Sequence, residues 1–423
     1  MGNNQKISLI GITIWLICAV FFMYEFLLRT ILGTFEHPIM YDLNLSLVTF
    51  AILSSTAYQL IYGVMQVPVG IITDRFGLKK SLFLAVVICA LAVIGFGSTH
   101  TFDTAVIFRL LMGFGSSFGF LCLLIAVYEW MPRKNIALFI GLSQLIGTMG
   151  PMLAAGPLNS LSSRPGIEWR YIFHSLGLIG FIIGVLVLLF VKNNRASSNT
   201  FQILKKPELI MGNIYRLVRQ PQVWLIAVFS ASVYFTIEYL SENSGKRFLM
   251  LNGYSSDVSS YMLTISWLGY AIGCPLLGFI SDLTNKRKSM MVLSSIFCII
   301  SALLIIYAPI NIAIIVIAFF MLGLGASGQS IGFAIMAEQC SSSFLAVGLG
   351  LNNAMIMLVV ALNGPLISWV LSMISGNNLP TIENYQFAFI IILLFMFLAF
   401  IISAFFIKET FCKSTKETIK LLV

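Results

Sequence analysis

Apolar residues run along this chain in blocks of about twenty, separated by short polar punctuation. A helix rises about 1.5 Å per residue, so a block of that length spans the roughly 30 Å hydrocarbon layer of a bilayer. Twelve such blocks predict twelve helices, at roughly 7–33, 46–72, 81–98, 104–130, 136–160, 170–191, 222–244, 257–281, 289–308, 311–337, 342–374 and 385–407. Blocks 1 and 11 are long enough to tilt or to project beyond the lipid. Block 1 is too long for a cleaved leader, and no small-residue cleavage site follows its apolar core. One longer polar stretch, 192–221, contains Lys192, Arg195, Lys205, Lys206 and Pro207 and reads as a cytoplasmic linker. It separates an N-terminal bundle at 1–191 from a C-terminal bundle at 222–407, with a tail at 408–423. The predicted fold class is an all-α membrane protein: twelve transmembrane helices in two pseudo-symmetric six-helix bundles.

Composition sharpens this picture. The chain is 59% hydrophobic and 10% charged, whereas soluble domains carry about 25% charged residues. The net charge of +9 raises the question of a polyanion partner. Its distribution answers it: 19 of the 25 Lys and Arg fall at the N-terminus, in the even-numbered connections or in the tail. That is the positive-inside pattern, with both termini cytoplasmic in a cell inner membrane and no nucleic-acid groove. The seven Cys and three His show no metal-ligand spacing, and no phosphate-binding loop occurs. No cofactor, no metal and no enzymatic chemistry are expected.

The two halves echo each other. Gly70-x-x-x-Asp74 returns as Gly278-x-x-x-Asp282, Gly113-Phe-Gly115 as Gly323-Leu-Gly325, and Gly156-Pro157-Leu158 as Gly364-Pro365-Leu366, at offsets of 208, 210 and 208. Three echoes in order, in corresponding blocks, indicate an internal duplication. Six helices per copy leave both copies in the same orientation. The stretch Gly70-Ile-Ile-Thr-Asp74-Arg75-Phe76-Gly77-Leu78-Lys79-Lys80 closely resembles the loop between helices 2 and 3 of the major facilitator superfamily. Arg109-Leu-Leu-Met-Gly113-Phe-Gly115 matches that family's fourth-helix pattern. The resemblance covers nearly the whole chain and implies a substrate site near mid-membrane at the interface of the halves. The Gly150-Pro151 and Gly156-Pro157 pairs of block 5 only partly resemble the signature of drug–proton antiporters.

Ionisable residues inside a bilayer are costly and become functional candidates by default. Block 1 carries Tyr24, Glu25 and Arg29. Glu25 and Arg29 are i, i+4 and share a face, so they either neutralise each other or divide the work, Arg29 taking an anionic group and Glu25 a proton or an amine. Arg109 in block 4 is a second anion contact, a proton-relay partner or a structural arginine. In block 7, which corresponds to block 1, Tyr234 and Glu238 face a similar choice, while Glu242 one turn on is expected to be solvated. A carboxyl in low dielectric can exchange its proton near neutral pH, which proton coupling requires. Tyr62, Gln144, Gln329 and Asn352 complete the candidate substrate contacts, and Asn352 shares a helix face with Asn363. The proton-coupling set is Glu25, Glu238 and Arg109.

The resemblance assigns a conformational role to Gly70, Asp74, Arg75, Gly77, Lys79, Glu129 and Asp282. Gly70 would give close helix approach and Gly77 a tight turn with positive φ. Glu129 would pair with Arg75 and Lys79, and Asp74 would face Ser341, Ser342 and Ser343 at the start of helix 11. The expected function is a monomeric secondary transporter moving a small polar, zwitterionic or anionic solute, an amino acid or small carboxylate, by proton symport. Tyr24-Glu25-Phe26-x-x-Arg29 with Gln66-Val67-Pro68 resembles a proteobacterial branch that includes amino-acid importers of intracellular bacteria. The alternative is a proton-antiport exporter of a siderophore, drug or metabolite.

Overall fold

The computed structural model describes residues 8–132, 136–162, 168–193, 219–339, 345–376 and 378–412. Among them, twelve helices are long and apolar enough to cross a membrane. They are α1 (Leu9–Thr34), α2 (Leu47–Val64), α3 (Leu78–Gly97), α4 (Phe102–Trp130), α5 (Phe139–Leu161), α6 (Trp169–Phe190), α7 (Pro221–Glu242), α8 (Ser256–Thr284), α9 (Arg287–Tyr307), α10 (Ile312–Gln339), α11 (Gly348–Ser375) and α12 (Ile382–Phe406). No strand occurs among the described residues. The chain is a multi-pass, all-helical membrane protein. It falls into two compact units, Met1–Gln202 and Ile203–Val423.

Each unit turns apolar side chains outward. On α6, Leu178, Ile182, Val185 and Leu189 recur at helical spacing and are all exposed. Lipid is as apolar as leucine, so burial of such residues against one another gains little. Helices associate through close packing of small residues instead.

The duplicated glycines do this work in both units. A methyl on Gly113 would press on the Tyr58 carbonyl of α2, and one on Gly115 on Cys89 of α3. In the second unit, Gly323 abuts Ser266 of α8 and Gly325 abuts Cys298 of α9. The fourth and tenth helices therefore contact the second and third, and the eighth and ninth, in the same way.

The turn between α2 and α3 is shorter than the sequence suggests. After α2 the chain re-enters a helix, Gln66–Phe76, which carries Asp74 and Arg75. Leu78 already begins α3. Gly77 alone makes the turn, with φ +80° and ψ 163°, a conformation open essentially to glycine. A methyl there would also strike the Asn193 carboxamide at 2.9–3.0 Å. The second unit makes the corresponding turn with Asn285 at φ 51°, since Asn tolerates the left-handed region.

Two irregularities shape the first unit. Residues Ile52–Thr56 of α2 form a π turn. Ala154–Leu158 of α5, which contains Pro157, forms another, and the Ala154 carbonyl accepts from the Thr34 hydroxyl of α1 at 2.8 Å. A π turn shifts the backbone ladder by one residue, so carbonyls there turn to side-chain donors.

Candidate functional site

In the first unit, Glu25 and Arg29 point into the space between α1, α2 and α4, and both are buried. Arg29 Nη2 lies 3.2 Å from Glu25 Oε2 and 3.4 Å from Oε1. The Tyr58 hydroxyl donates to this carboxylate at 3.1 Å and lies 2.9 Å from the Glu25 carbonyl. Glu25 reaches α2 because Gly119 of α4 leaves room: a methyl on Gly119 would sit 2.9 Å from Glu25 Cγ. The Arg29 guanidinium rests on two rings, Phe26 at 4.5 Å and Tyr62 at 4.6 Å. Tyr58 and Tyr62 stack with centroids 6.2 Å apart, and the Arg109 guanidinium lies over the Tyr58 ring at 4.4 Å. Each of the two stacked rings therefore carries a cation, Arg29 over Tyr62 and Arg109 over Tyr58, each over a negative ring face.

Arg109 itself is a clamp. Its Nη1 donates to the Leu28 carbonyl at 2.6 Å, and its Nη2 to Arg29 at 2.7 Å and Ser54 at 2.9 Å. Nε donates to Leu53 at 3.3 Å, and the Met112 sulfur lies 3.7 Å from Nη1. All five guanidinium N–H groups thus have an acceptor. Two of the carbonyls belong to the α2 π turn, which explains why an arginine is needed there. A guanidinium so engaged has no donor left to pass a proton or hold a solute. These contacts fit the structural alternative raised for Arg109 better than the proton-coupling role expected of it.

Tyr24 also turns elsewhere. Its hydroxyl donates to the Leu176 carbonyl of α6 at 3.0 Å, away from Arg29. Gln144 is half-buried on α5, beside Ser143, which accepts from the Trp15 indole at 2.8 Å.

In the second unit, Tyr234, Trp267 and Tyr270 meet edge to face, with centroids 5.7–6.3 Å apart. The polar ends of Trp267 and Tyr270 are tied down within the unit. Tyr270 donates to Gln329 Oε1 at 2.6 Å, and the Trp267 indole to the Ser241 hydroxyl at 2.8 Å. Gln329 thus joins α10 to α8. Glu238 is fully buried on α7, and so is Glu242, which the sequence placed in solvent. The chain turns back after Glu242 into a short helix, Gly245–Leu251, whose Gly245 lies against the Leu240 backbone. Asn352 of α11 is fully buried, and neither atom of its carboxamide has a hydrogen-bond partner among the described residues. That is unusual for a group costing about 1–3 kcal/mol to bury unsatisfied.

Most of the residues assigned to conformational change lie near helix ends, whereas Gly70 lies inside the helix Gln66–Phe76. Lys79 donates its backbone N–H to Asn193 Oδ1 at 2.9 Å and its ammonium to the Leu188 carbonyl at 2.7 Å, both at the end of α6. Its observed partners are therefore not the expected acid. Arg75 is exposed and rests 5.5 Å from the Phe76 ring. Glu129 is half-buried at the end of α4. Gly70 has no need of close approach: the nearest atom to an added methyl is 3.9 Å away. The Asp74 side chain and Ser341, Ser342 and Ser343 lie outside the described residues. Asp282 of α8 pairs with Arg287 at 2.6 Å, and Arg287 pairs with Glu338 of α10 at 3.0 Å. The sequence reading missed Glu338, Asn193 and Glu409. A faint signal existed for the last two: each closely follows the last helix of its half.

The model of the Major Facilitator Superfamily matches residues 14–243 and 239–419. The chain belongs to this family. The Bacillus subtilis hexuronate transporter is 25% identical over 261 residues, covering 59% of each chain. The "Probable L-galactonate transporter" of Escherichia coli is 24% identical over 314 residues, 71% of this chain and 68% of that one. The chain spans 35% of the length of another Bacillus subtilis relative, the MFS-type transporter YdgK. The solved structure of the nucleoside transporter NupG superposes with a TM-score of 0.74 at 16% identity, over 94% of this chain and all of that one. At that identity the match establishes the facilitator fold alone.

Proposed function

We propose that this facilitator is a secondary transporter that carries a small carboxylate-bearing solute together with a proton. One observation carries the reading: a buried glutamate–arginine pair, Glu25 and Arg29, roofed by Tyr58 and Tyr62 inside a membrane-spanning unit. The pair is neutral as a unit. A solute carboxylate that takes Arg29 from Glu25 leaves one net negative charge in low dielectric, which is strongly unfavourable. Protonation of Glu25 removes that charge. Anion and proton therefore enter together, and the loaded site is again neutral. Arg29 suits the task because its planar fork holds both carboxylate oxygens.

The names of the relatives support an organic anion, since hexuronate and galactonate are both sugar acids. The buried Glu238 of the second unit supports a second reading, an amino acid whose amine pairs with that carboxyl. Movement proceeds by alternating access of the two halves, in an inner membrane with both termini cytoplasmic, as the distribution of Lys and Arg supports.

Proteoliposomes loaded at high pH and diluted into low pH should accumulate radiolabelled galacturonate or gluconate. Glu25→Gln should abolish proton-driven accumulation while keeping exchange of labelled for unlabelled solute. Arg29→Gln should abolish both. Proton-driven accumulation undiminished in Glu25→Gln would refute the coupling role. Uptake of amino acids and not sugar acids, lost in Glu238→Gln, would favour the second reading.

A further inference from the structure

The chain leaves α12 through a π turn, Ile402–Phe406, and then crosses the end of the second unit. Residues 406–412 make a side-chain or backbone bond to each of four helices. Gln222, in the first turn of α7, clasps the segment with both amide atoms: its nitrogen donates to the Phe406 carbonyl and its oxygen accepts from the Lys408 N–H, each at 3.0 Å. Glu409 reaches the start of α9, where Oε1 accepts from the Arg287 N–H and Oε2 from the Lys288 N–H, both at 2.9 Å. Thr410 donates its hydroxyl to Glu338 Oε2 of α10. Cys412 Sγ lies 3.7 Å from the Ser281 carbonyl of α8.

Glu409 is the pivot of this strap. Its carboxylate also accepts from the Thr410 and Phe411 N–H groups at 3.1 and 3.2 Å. Four backbone N–H groups converge on one charge, two of them at a helix N-terminus where an anion is favoured. Phe411 and Cys412 adopt positive φ, 51° and 57°, which bends the chain around that carboxylate. The strap then delivers Thr410 to Glu338, which already holds Arg287 and through it Asp282.

The first unit contains a weaker version. Asn193, two residues beyond the C-cap Val191 of α6, accepts from the Lys79 N–H at the start of α3. It is a neutral, single cap where Glu409 is a charged, double one.

We infer that residues 407–412 form a clamp, pinned by Glu409, that makes the tail-side ends of α7, α8, α9 and α10 move as one body. Without it, the four helix ends would be left, among the described residues, with their lateral packing and the Asp282–Arg287–Glu338 chain. The clamp converts a local cap into a mechanical connection. Its release would loosen four ends at once.

The test needs no knowledge of the solute. Hydrogen exchange of the purified full-length protein should be compared between wild type and Glu409→Ala. Amides of 407–412, the first turn of α9 and the last turns of α8 and α10 should all exchange at least about tenfold faster, the size expected when a charged cap and two backbone bonds are lost. N-ethylmaleimide labelling of Cys412, read by peptide mass spectrometry, should accelerate in step. Thr410→Val, which keeps the cap, should loosen the end of α10 and leave the start of α9 unchanged. Asn193→Ala should loosen the start of α3 and nothing in the second unit. Faster exchange confined to the first turn of α9 in Glu409→Ala would reduce the segment to a simple cap and overturn the inference. If Glu409→Ala fails to fold, Thr410→Val decides: unchanged exchange at the end of α10 overturns it equally.

Discussion

Replacing Arg109 by leucine tests whether a buried cation here serves transport or architecture. Leucine fills part of the same space and removes the charge and all five donors. Four carbonyls lose a charged partner: Leu28 and Arg29 of α1, and Leu53 and Ser54 of the α2 π turn. A hydrogen bond to a charged group contributes about 1.5–3 kcal/mol net. The four do not simply add, because Leu28 and Arg29 lie inside a regular helix and keep backbone partners. The loss of the Tyr58 cation–π contact adds about 1 kcal/mol. The expected cost is therefore about 3–5 kcal/mol, the range seen when one member of a buried charged network is removed. Arg109→Lys keeps a charge, but its three donors radiate from one nitrogen and cannot span two helices, so about 1–3 kcal/mol should go. The assay is equilibrium unfolding of the purified protein in mixed micelles of mild detergent and SDS. A leucine variant within about 0.5 kcal/mol of wild type, the scatter of neutral substitutions, would refute the clamp. A lysine variant with unchanged stability but a shifted pH profile of uptake would restore the proton-relay reading.

Gly77→Ala should cost about 1–3 kcal/mol in the same unfolding assay, because its φ and ψ lie in a region reserved for glycine. Asn193→Ala beside it should recover only the steric part. Gly325→Ala should destabilise by about 1–3 kcal/mol through overpacking, since the added methyl would meet Cys298 Sγ at 2.5 Å and backbone atoms at 2.8 Å. Asn352→Leu should leave stability unchanged or raise it by about 1 kcal/mol, because a buried amide without partners is replaced by an apolar side chain. A loss of several kcal/mol on the same measurement would show that Asn352 has a structural partner.

What can be read from the chain without coordinates follows from the bilayer. A hydrocarbon layer of fixed thickness forces helices of about twenty apolar residues, so their number and rough ends are written in the apolar blocks. The duplication is equally legible, because glycine is selected by close backbone approach and each copy needs it at the same helix crossing. Gly77 could be read too, since a sharp reversal between two helices demands positive φ. Tertiary packing decided the rest. The Glu25–Arg29 pair was legible as an i, i+4 spacing, but nothing local says what Arg109, with no acid one turn away, would hold. Only the π turn of α2 and the crossing of α1 aim four carbonyls at it, and only α2 brings Tyr58 and Tyr62 to the Glu25–Arg29 pair. Gly70 and Gly115 are likewise the same letter, yet one has room for a methyl beside Leu121 and the other abuts a neighbouring backbone. Asn193 and Glu409 are unremarkable polar residues after a helix until the fold brings them, across 114 and 122 positions, to the helix starts they cap. Sequence fixes which groups must avoid or enter the membrane, because that depends on each residue's own free energy of transfer. Pairing depends on long-range contacts, and those exist only once the helices have packed.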